Sequence, residues 1–362
     1  MRELVLLGGG HAHVELLRSL AEQPLQDVRV TLVSPHAHAL YSGMLPGAIE
    51  GRYARADCEI PLHALAQRAR AERIEAHARA IDADANRVAL DNGRHLRYAV
   101  LSLDIGSVIN DRGILGAEEH GLPLRPLGQF WKGMAQILER AGRRHIGIAV
   151  VGGGAAAVEI ALALQHRLAG QANVSLVTGG SLPLPGYSEA VRRKARRALR
   201  RRAIRIVEDR CTELTGRQLR LAGGEGLACD AAILATGPSA QAWLADSGLA
   251  LDPEGYVATG ATLQSVSHPN VFAVGDTASR SDLPVPRSGV YAVRAGPPLA
   301  RNLRAYLAGL APLAHCPSAR SLNLLSCGDG RAIASWGRWS AEGRWAGWLK
   351  DRIDRRFVAR YR

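Results

Sequence analysis

The chain repeats one pattern that few folds accommodate. "LVLLGGGHAHVELLRSL" (4–20) and "IAVVGGGAAAVEIALAL" (148–164) each run from an apolar strand through three glycines into an apolar helix, with Glu15 and Glu159 at the same offset. A β-branched run follows each after a short polar gap, "VRVTLVS" (28–34) and "NVSLVTG" (173–179). Strand, glycine turn, helix, strand is the βαβ unit of a nucleotide-binding sheet, because parallel strands need a crossover. One glycine cluster would be weak evidence, but two in the same context are strong. Gly8 and Gly10 in the first loop, and Gly152 and Gly154 in the second, let backbone N–H groups approach a diphosphate at a helix N-terminus, where the dipole favours an anion.

Three further strand ends fit this scheme. "DAAILATGPSA" (230–240) ends in Ala235-Thr236-Gly237, and "HPNVFAVGDTAS" (268–279) ends in Gly275-Asp276. "YAVLSLDIGS" (98–107) is a weaker counterpart of the first, with Asp104, Gly106 and Ser107. The nearly uncharged window Ile146–Leu164 is divided by three glycines and Glu159 into strand, turn and helix, so it does not read as a membrane span.

With 362 residues, 47% of them apolar, the chain can build two or three packed units. Its formal charge of +13 is carried almost wholly by arginine, since lysine occurs only at 132, 194 and 350. That bias reads as the signature of GC-rich coding, and no aromatic-interleaved basic motif points to nucleic acid. Cys58, Cys211, Cys229, Cys316 and Cys327 form no C-x-x-C pair, so neither a disulfide framework nor a zinc ribbon is expected. The expected setting is cytoplasmic, since "MREL" runs directly into a strand and leaves no room for a signal peptide.

Two glycine-rich βαβ units, an A-T-G strand and a late V-F-A-x-G-D strand resemble, in that order, the two-dinucleotide-binding-domain flavoproteins of the pyridine nucleotide-disulfide oxidoreductase family. The resemblance covers nearly the whole chain and lies towards the branch of type II NADH dehydrogenases and sulfide:quinone oxidoreductases. "GGGHAHVELLR", "YSGMLPGAIEGRY" (41–53), "GVYAVRAGPPLARNL" (289–303) and "LKDRIDRRFVARY" (349–361) are similar to the flavoprotein module fused ahead of selenide, water dikinase.

The resemblance implies an α/β fold of two Rossmann-like domains. An FAD-binding domain (1–115 and 246–315) would carry an inserted NAD(P)H-binding domain (116–245), followed by a C-terminal segment (316–362). It implies FAD contacts at Gly8, Gly10, His11, Ala12, Ser34, Asp104, Gly106, Gly275 and Asp276, the last bonding the ribityl chain. Tyr41, Ser42, Gly43, Met44 and Pro46 would lie beside the isoalloxazine. A helix starting near Gly289, with Ala292, would aim its N-terminus at the flavin pyrimidine edge. For NADH or NADPH it implies Gly152, Gly154, Thr178, Thr236 and Gly237, with Glu159 facing the nicotinamide. The implied activity is hydride transfer from NAD(P)H to flavin, then electrons to a quinone-type acceptor. The rivals are sulfide or selenide:quinone oxidoreduction, and a flavin-binding partner or redox sensor for selenophosphate synthesis.

Several residues depart from the family pattern. The third glycine of each fingerprint is His13 or Ala157, and the acid expected about 20 residues on is replaced by Ser34-Pro35-His36 or Thr178-Gly179-Gly180. Ser34 can still bond a ribose, but NADH versus NADPH is left unread. The run Arg192, Arg193, Lys194, Arg196, Arg197 reads as a solvated helix face rather than a 2′-phosphate site. The redox disulfide is missing, and Cys316 and Cys327 read as buried and inert. Where quinone-reducing relatives carry a Gln pair, this chain has Arg294 and Ala295, making Arg294 a second candidate catalytic residue beside Glu159. His11 and His13 point to nearly opposite faces of the opening helix, which suits joint chelation poorly even with His36 and His38 nearby, and no metal is expected. How His13 fits where the helix should crowd its strand is unexplained.

Trp345, Leu349, Ile353, Phe357 and Tyr361 recur every four residues as an apolar stripe on a basic helix. That pattern suits an anchor on the inner face of a membrane, or a face packed on the protein's own body or a twin subunit.

Overall fold

The computed structural model describes residues 1–318 and 320–362. Two five-stranded parallel sheets share the order of four strands, while the fifth, on the same edge, comes last in chain order in the first sheet and first in the second. In the first the strands run Val271–Ala273, Val100–Leu103, Arg2–Leu7, Val28–Val33, Ala71–Ile74; in the second, Gly121–Pro123, Ala231–Leu234, Ile146–Val151, Ala172–Val177, Arg205–Val207. The registers repeat as well: Leu7 pairs with Val33 and Leu103, Val151 with Val177 and Leu234. The central strands are buried over most of their length because both faces are covered, in the first sheet by helices on one side and by an antiparallel meander on the other. The glycine-loop helices span His11–Glu22 and Ala155–Arg167.

Each sheet also carries a three-stranded antiparallel meander in the same sequential place, residues 78–97 in the first unit and 211–228 in the second. The sequence reading missed these meanders, because strands of three to five residues leave little periodicity to detect. The chain passes between the units at a short antiparallel ladder, Val108 opposite Ser239 and Ile109 opposite Pro238.

The C-terminal segment is more than a helix. Asn323–Ser326, Ala332–Trp336 and Trp339–Gly343 form an antiparallel sheet, followed by the helix Arg344–Ala359. A Cβ on Gly328 would meet the Leu162 carbonyl at 2.4 Å, so the turn of this sheet lies directly on the second glycine-loop helix. The helix behind it buries Ala346, Gly347, Asp354 and Val358, with Lys350 half-buried and Tyr361 buried just past its end, whereas Trp345 and Ile353 of the expected stripe face outward. The reason is geometric. Four residues overshoot a helical turn by about 40°, so a five-member stripe at that spacing sweeps about 160° around the axis. The stripe starts outward at Trp345 and has turned inward by Phe357 and Tyr361.

Candidate active site

The two glycine loops are built alike but terminate differently. Gly8 has φ +93° and Gly152 φ +142°, and a Cβ on either would stand 2.3 Å or 2.2 Å from a carbonyl, that of Asp104 or Ala235. Only glycine tolerates both the backbone conformation and the approach. Asp104 and Ala235 hold the same place in the repeat, at the end of the strand paired with the loop strand. In the first unit the Asp104 carboxylate accepts N–H bonds from Ala12 (2.8 Å) and His13 (3.0 Å) and fills the space beneath Gly10. The N–H groups of Gly9 and His11 are left without acceptors among the described residues. In the second unit alanine supplies no carboxylate, and the N–H groups of Gly153 to Ala157 have no acceptor among the described residues. Both loops thus offer donors at a helix N-terminus, the chemistry that suits a diphosphate.

His13 is accommodated as part of the sheet. It is fully buried; Nδ1 donates to the Gly8 carbonyl at 2.7 Å, and Nε2 accepts from the Ser102 hydroxyl at 2.8 Å. A carbonyl only accepts, so that partner sets the tautomer. Burial drops its pKa to about 4 and keeps it neutral. The His11 ring lies elsewhere, with its centroid 5.5 Å from Tyr41 and 6.1 Å from Phe357; its buried Nε2 has no partner, and burial lowers its pKa to about 4 as well.

Three chain segments meet beside the first loop. Thr277 Oγ1 accepts the N–H groups of Ile105 and Gly106, both at 3.0 Å, locking Asp104–Ser107 to Gly275–Thr277. Gly275 has φ +63°, which turns Asp276 into the groove. There Asp276 pairs with Arg125, which also donates to Ser107. Burial pushes the Asp104 carboxyl up to about 7; its two N–H bonds act against this and the neighbouring Asp276 adds to it. Ser34 is buried at the end of its strand, within reach of the His36 N–H.

The helix Gly289–Leu307 begins beside Ser42, 3.5 Å from the Cβ position of Gly289. Its start borders an opening shared with Gly275, Asp276, Ser288, Tyr291, Ala292 and Ala295. Arg294 is exposed and does not border that opening, to which the helix presents Tyr291, Ala292 and Ala295. Thr178 is tied into its own turn by a bond to the Ser181 carbonyl, and Thr236 bonds the Asn110 carbonyl at the junction of the two units.

Glu159 faces a cluster that no sequence signal announced. Its carboxylate accepts the Ser326 N–H at 2.8 Å. Ser326 Oγ donates to Glu50 at 2.8 Å, and Lys350 Nζ donates to the Gly43 carbonyl at 2.6 Å and to Asp354 at 2.7 Å. Part of the Glu159 residue meets solvent, but protein surrounds its carboxyl. Burial raises it to about 7, against the pull of Lys350 and the Ser326 N–H. Burial works against the charge on Lys350, yet Asp354 and Glu159 hold its ammonium above the usual range. Burial and then Asp354 raise the Tyr41 hydroxyl too, so Glu159, Lys350, Asp354 and Tyr41 form one cluster of mutually influencing groups. Glu15, the repeat partner of Glu159, is capped by the same segment: Tyr361 donates to it at 2.6 Å and Arg360 at 3.3 Å.

The remaining candidates sort simply. Cys316 is exposed, contrary to expectation, because the chain there runs outside regular structure. Cys327 is buried, with its thiol pushed up to about 12 by burial and then by nearby carboxylates. On the basic helix Glu189–Arg201, Lys194 bonds Ser340 while Arg197 and Arg201 grip Glu342, so this face is partly a seam with the C-terminal sheet.

The pyridine nucleotide-disulphide oxidoreductase family model matches residues 2–296. Demethylphylloquinone reductase NdbB of Synechocystis is 27% identical over 274 residues, 72% of this chain and 68% of that one. Among solved structures, sulfide:quinone oxidoreductase of Aquifex aeolicus superposes with TM-score 0.82 at 18% identity, covering 100% of this chain and 92% of the other. NDH2 of Plasmodium falciparum, in complex with NADH, superposes with TM-score 0.84 at 12% identity over 99% of this chain and 97% of its own. With two diphosphate-ready loops in one repeated frame, the chain belongs to the pyridine nucleotide-disulphide oxidoreductase family as an FAD-dependent oxidoreductase of nicotinamide nucleotides.

Proposed function

We propose that this protein oxidises NADH or NADPH and reduces a quinone drawn from a membrane. The observation that carries this reading is the C-terminal segment, which joins a buried acid–base cluster to an exposed aromatic and basic surface. FAD, when bound, supplies the two-electron relay between the half-reactions. The first loop offers its free N–H groups to the FAD diphosphate and the second offers its own to the nicotinamide nucleotide. Glu159 holds a proton near neutral pH, and Lys350 and Asp354 fix the charge around it. Quinone reduction consumes protons with its electrons, and this cluster is placed to deliver them. Neither an acidic residue at Thr178-Gly179-Gly180 nor an unengaged arginine at Arg197 or Arg201 selects one nicotinamide nucleotide, so discrimination between them should be slight.

Trp336, Trp339, Trp345 and Trp348 are 58%, 52%, 48% and 63% exposed. The rings of Trp339 and Trp345 lie 6.3 Å apart, and Arg352 sits over Trp348. Indoles beside arginines on one face suit the headgroup region of an anionic bilayer. No helix among the described residues is long and apolar enough to cross a membrane. Replacing Trp345 and Trp348 with alanine should weaken sedimentation with anionic vesicles about tenfold or more. Unchanged sedimentation, or a dimer in light scattering that these changes split, would assign the face to a subunit contact instead.

Anaerobic titration tests the reaction. Bound flavin should bleach with NADH or NADPH and recover its colour on addition of quinone. Bleaching by sulfide but by neither nucleotide would transfer the assignment to sulfide oxidation, which the high thiol pKa of Cys327 disfavours. The likeness to the module fused with selenide, water dikinase carries a second reading, a flavin-binding partner of selenophosphate synthesis. Stable binding to that kinase with negligible NAD(P)H oxidation would favour it.

A further inference from the structure

We infer that Arg125, supplied by the inserted unit, is the positioning residue that lets a diphosphate-bearing flavin settle in a groove already holding two carboxylates. The inference rests on the FAD assignment and goes beyond it to the charge balance of the groove.

Asp104 is buried beneath Gly10, and the Asp276 side chain, 11% exposed, stands close enough to disturb its ionisation. FAD would bring two more negative charges to the same place. The two imidazoles at the helix start do not offset them, because burial holds His11 and His13 neutral. Asp104 has no cationic partner among the described residues, and Arg125 is the only ion-pair partner of Asp276. Arg280 and Arg287, which border the adjoining opening, are engaged by Asp282 and by Asp252 and Glu254. Arg125 follows the strand Gly121–Pro123 of the second sheet and precedes the helix Leu127–Arg143. One guanidinium therefore neutralises Asp276, is itself held by Ser107, and ties the inserted unit to the flavin groove. Both bonds leave its Nη1, whose two hydrogens serve the two acceptors at once.

The test compares ligands with and without phosphate. FAD and riboflavin are titrated, by quenching of their fluorescence, against flavin-stripped wild type, Arg125→Gln and Arg125→Lys. Leaving anionic groups uncompensated in a partly buried groove should weaken FAD binding by roughly tenfold or more in Arg125→Gln. Arg125→Lys should keep it within about threefold, since it restores the charge without the guanidinium. Riboflavin, which lacks the diphosphate, should bind all three within about twofold. An equal loss for riboflavin and FAD would reduce Arg125 to a structural brace and overturn the inference. FAD binding to Arg125→Gln as tight as wild type, or tighter, would overturn it too, by making the arginine irrelevant or a competitor for Asp276. A wild type that binds riboflavin but no FAD would remove the cofactor assignment and the inference with it.

Discussion

Glu159→Gln is expected to lower turnover with quinone about 100-fold while the bleaching of bound flavin by NADH changes by less than about threefold. The size follows from what a positioned proton carrier typically contributes, roughly 10²- to 10⁴-fold. The selectivity follows from the proposed role, since Glu159 accepts the Ser326 N–H and feels the charges of Lys350 and Glu50 in the C-terminal cluster. Its carboxyl is raised to about 7, so below that pH it is protonated and able to give a proton, and above it the proton is gone. Quinone turnover of the wild type should therefore fall as pH rises through about 7, and glutamine should remove that limb. Because Lys350 pulls the Glu159 pKa down, Lys350→Gln should move the limb to higher pH. Stopped-flow bleaching and steady-state quinone reduction across pH separate the two half-reactions. Full quinone turnover by Glu159→Gln with an unchanged alkaline limb would remove Glu159 from proton delivery.

His13→Gly is expected to destabilise the fold by about 3 kcal/mol, although it completes the glycine fingerprint. The imidazole fills space between the first helix and the strand Val100–Leu103 and satisfies two buried partners, the Gly8 carbonyl and the Ser102 hydroxyl. Leaving buried polar groups bare costs roughly 1–3 kcal/mol each, and the emptied volume adds a cavity term. Glycine in a helix adds about 1 kcal/mol more, while water entering the space would return part of the loss. A second change, Ser102→Ala, should cost less in the His13→Gly background than alone, because its partner is already missing. Urea unfolding should show a lower midpoint with unchanged slope. A midpoint at or above that of the wild type would mean that the histidine merely tolerates its place.

These two residues mark where the linear pattern stopped being informative. The fingerprint treats position 13 as a missing glycine, yet its function depends on Ser102, 89 residues away and directly beneath it only because Leu6 and Ser102 pair in register. Glu159 was visible as a repeated glutamate; the serine, lysine and aspartate that face its buried carboxyl lie 167 to 195 residues further on, in the C-terminal segment that helps to bury it. Lys350 and Asp354 belonged to the charged side of the basic helix on which the apolar stripe was read. They are its buried side, because a strict spacing of four drifts around a helix of 3.6 residues per turn. Arg125 was passed over for the plainer reason that a lone arginine in a loop has no period.

The linear order of residues was enough to establish the two nucleotide-binding units, their glycine turns and the strand ends that face them. Those features are local: a backbone that must take φ +93° or +142°, or begin a helix at an anion, writes its requirement into adjacent residues. Only tertiary structure decided what closes the site. It set Asp104 on the first helix start, left the second start open, brought Arg125 across to Asp276, and folded the C-terminal segment over both repeated glutamates. Such contacts join residues far apart in the chain, and their energy depends on burial and charge at the meeting point, which no stretch of sequence carries by itself.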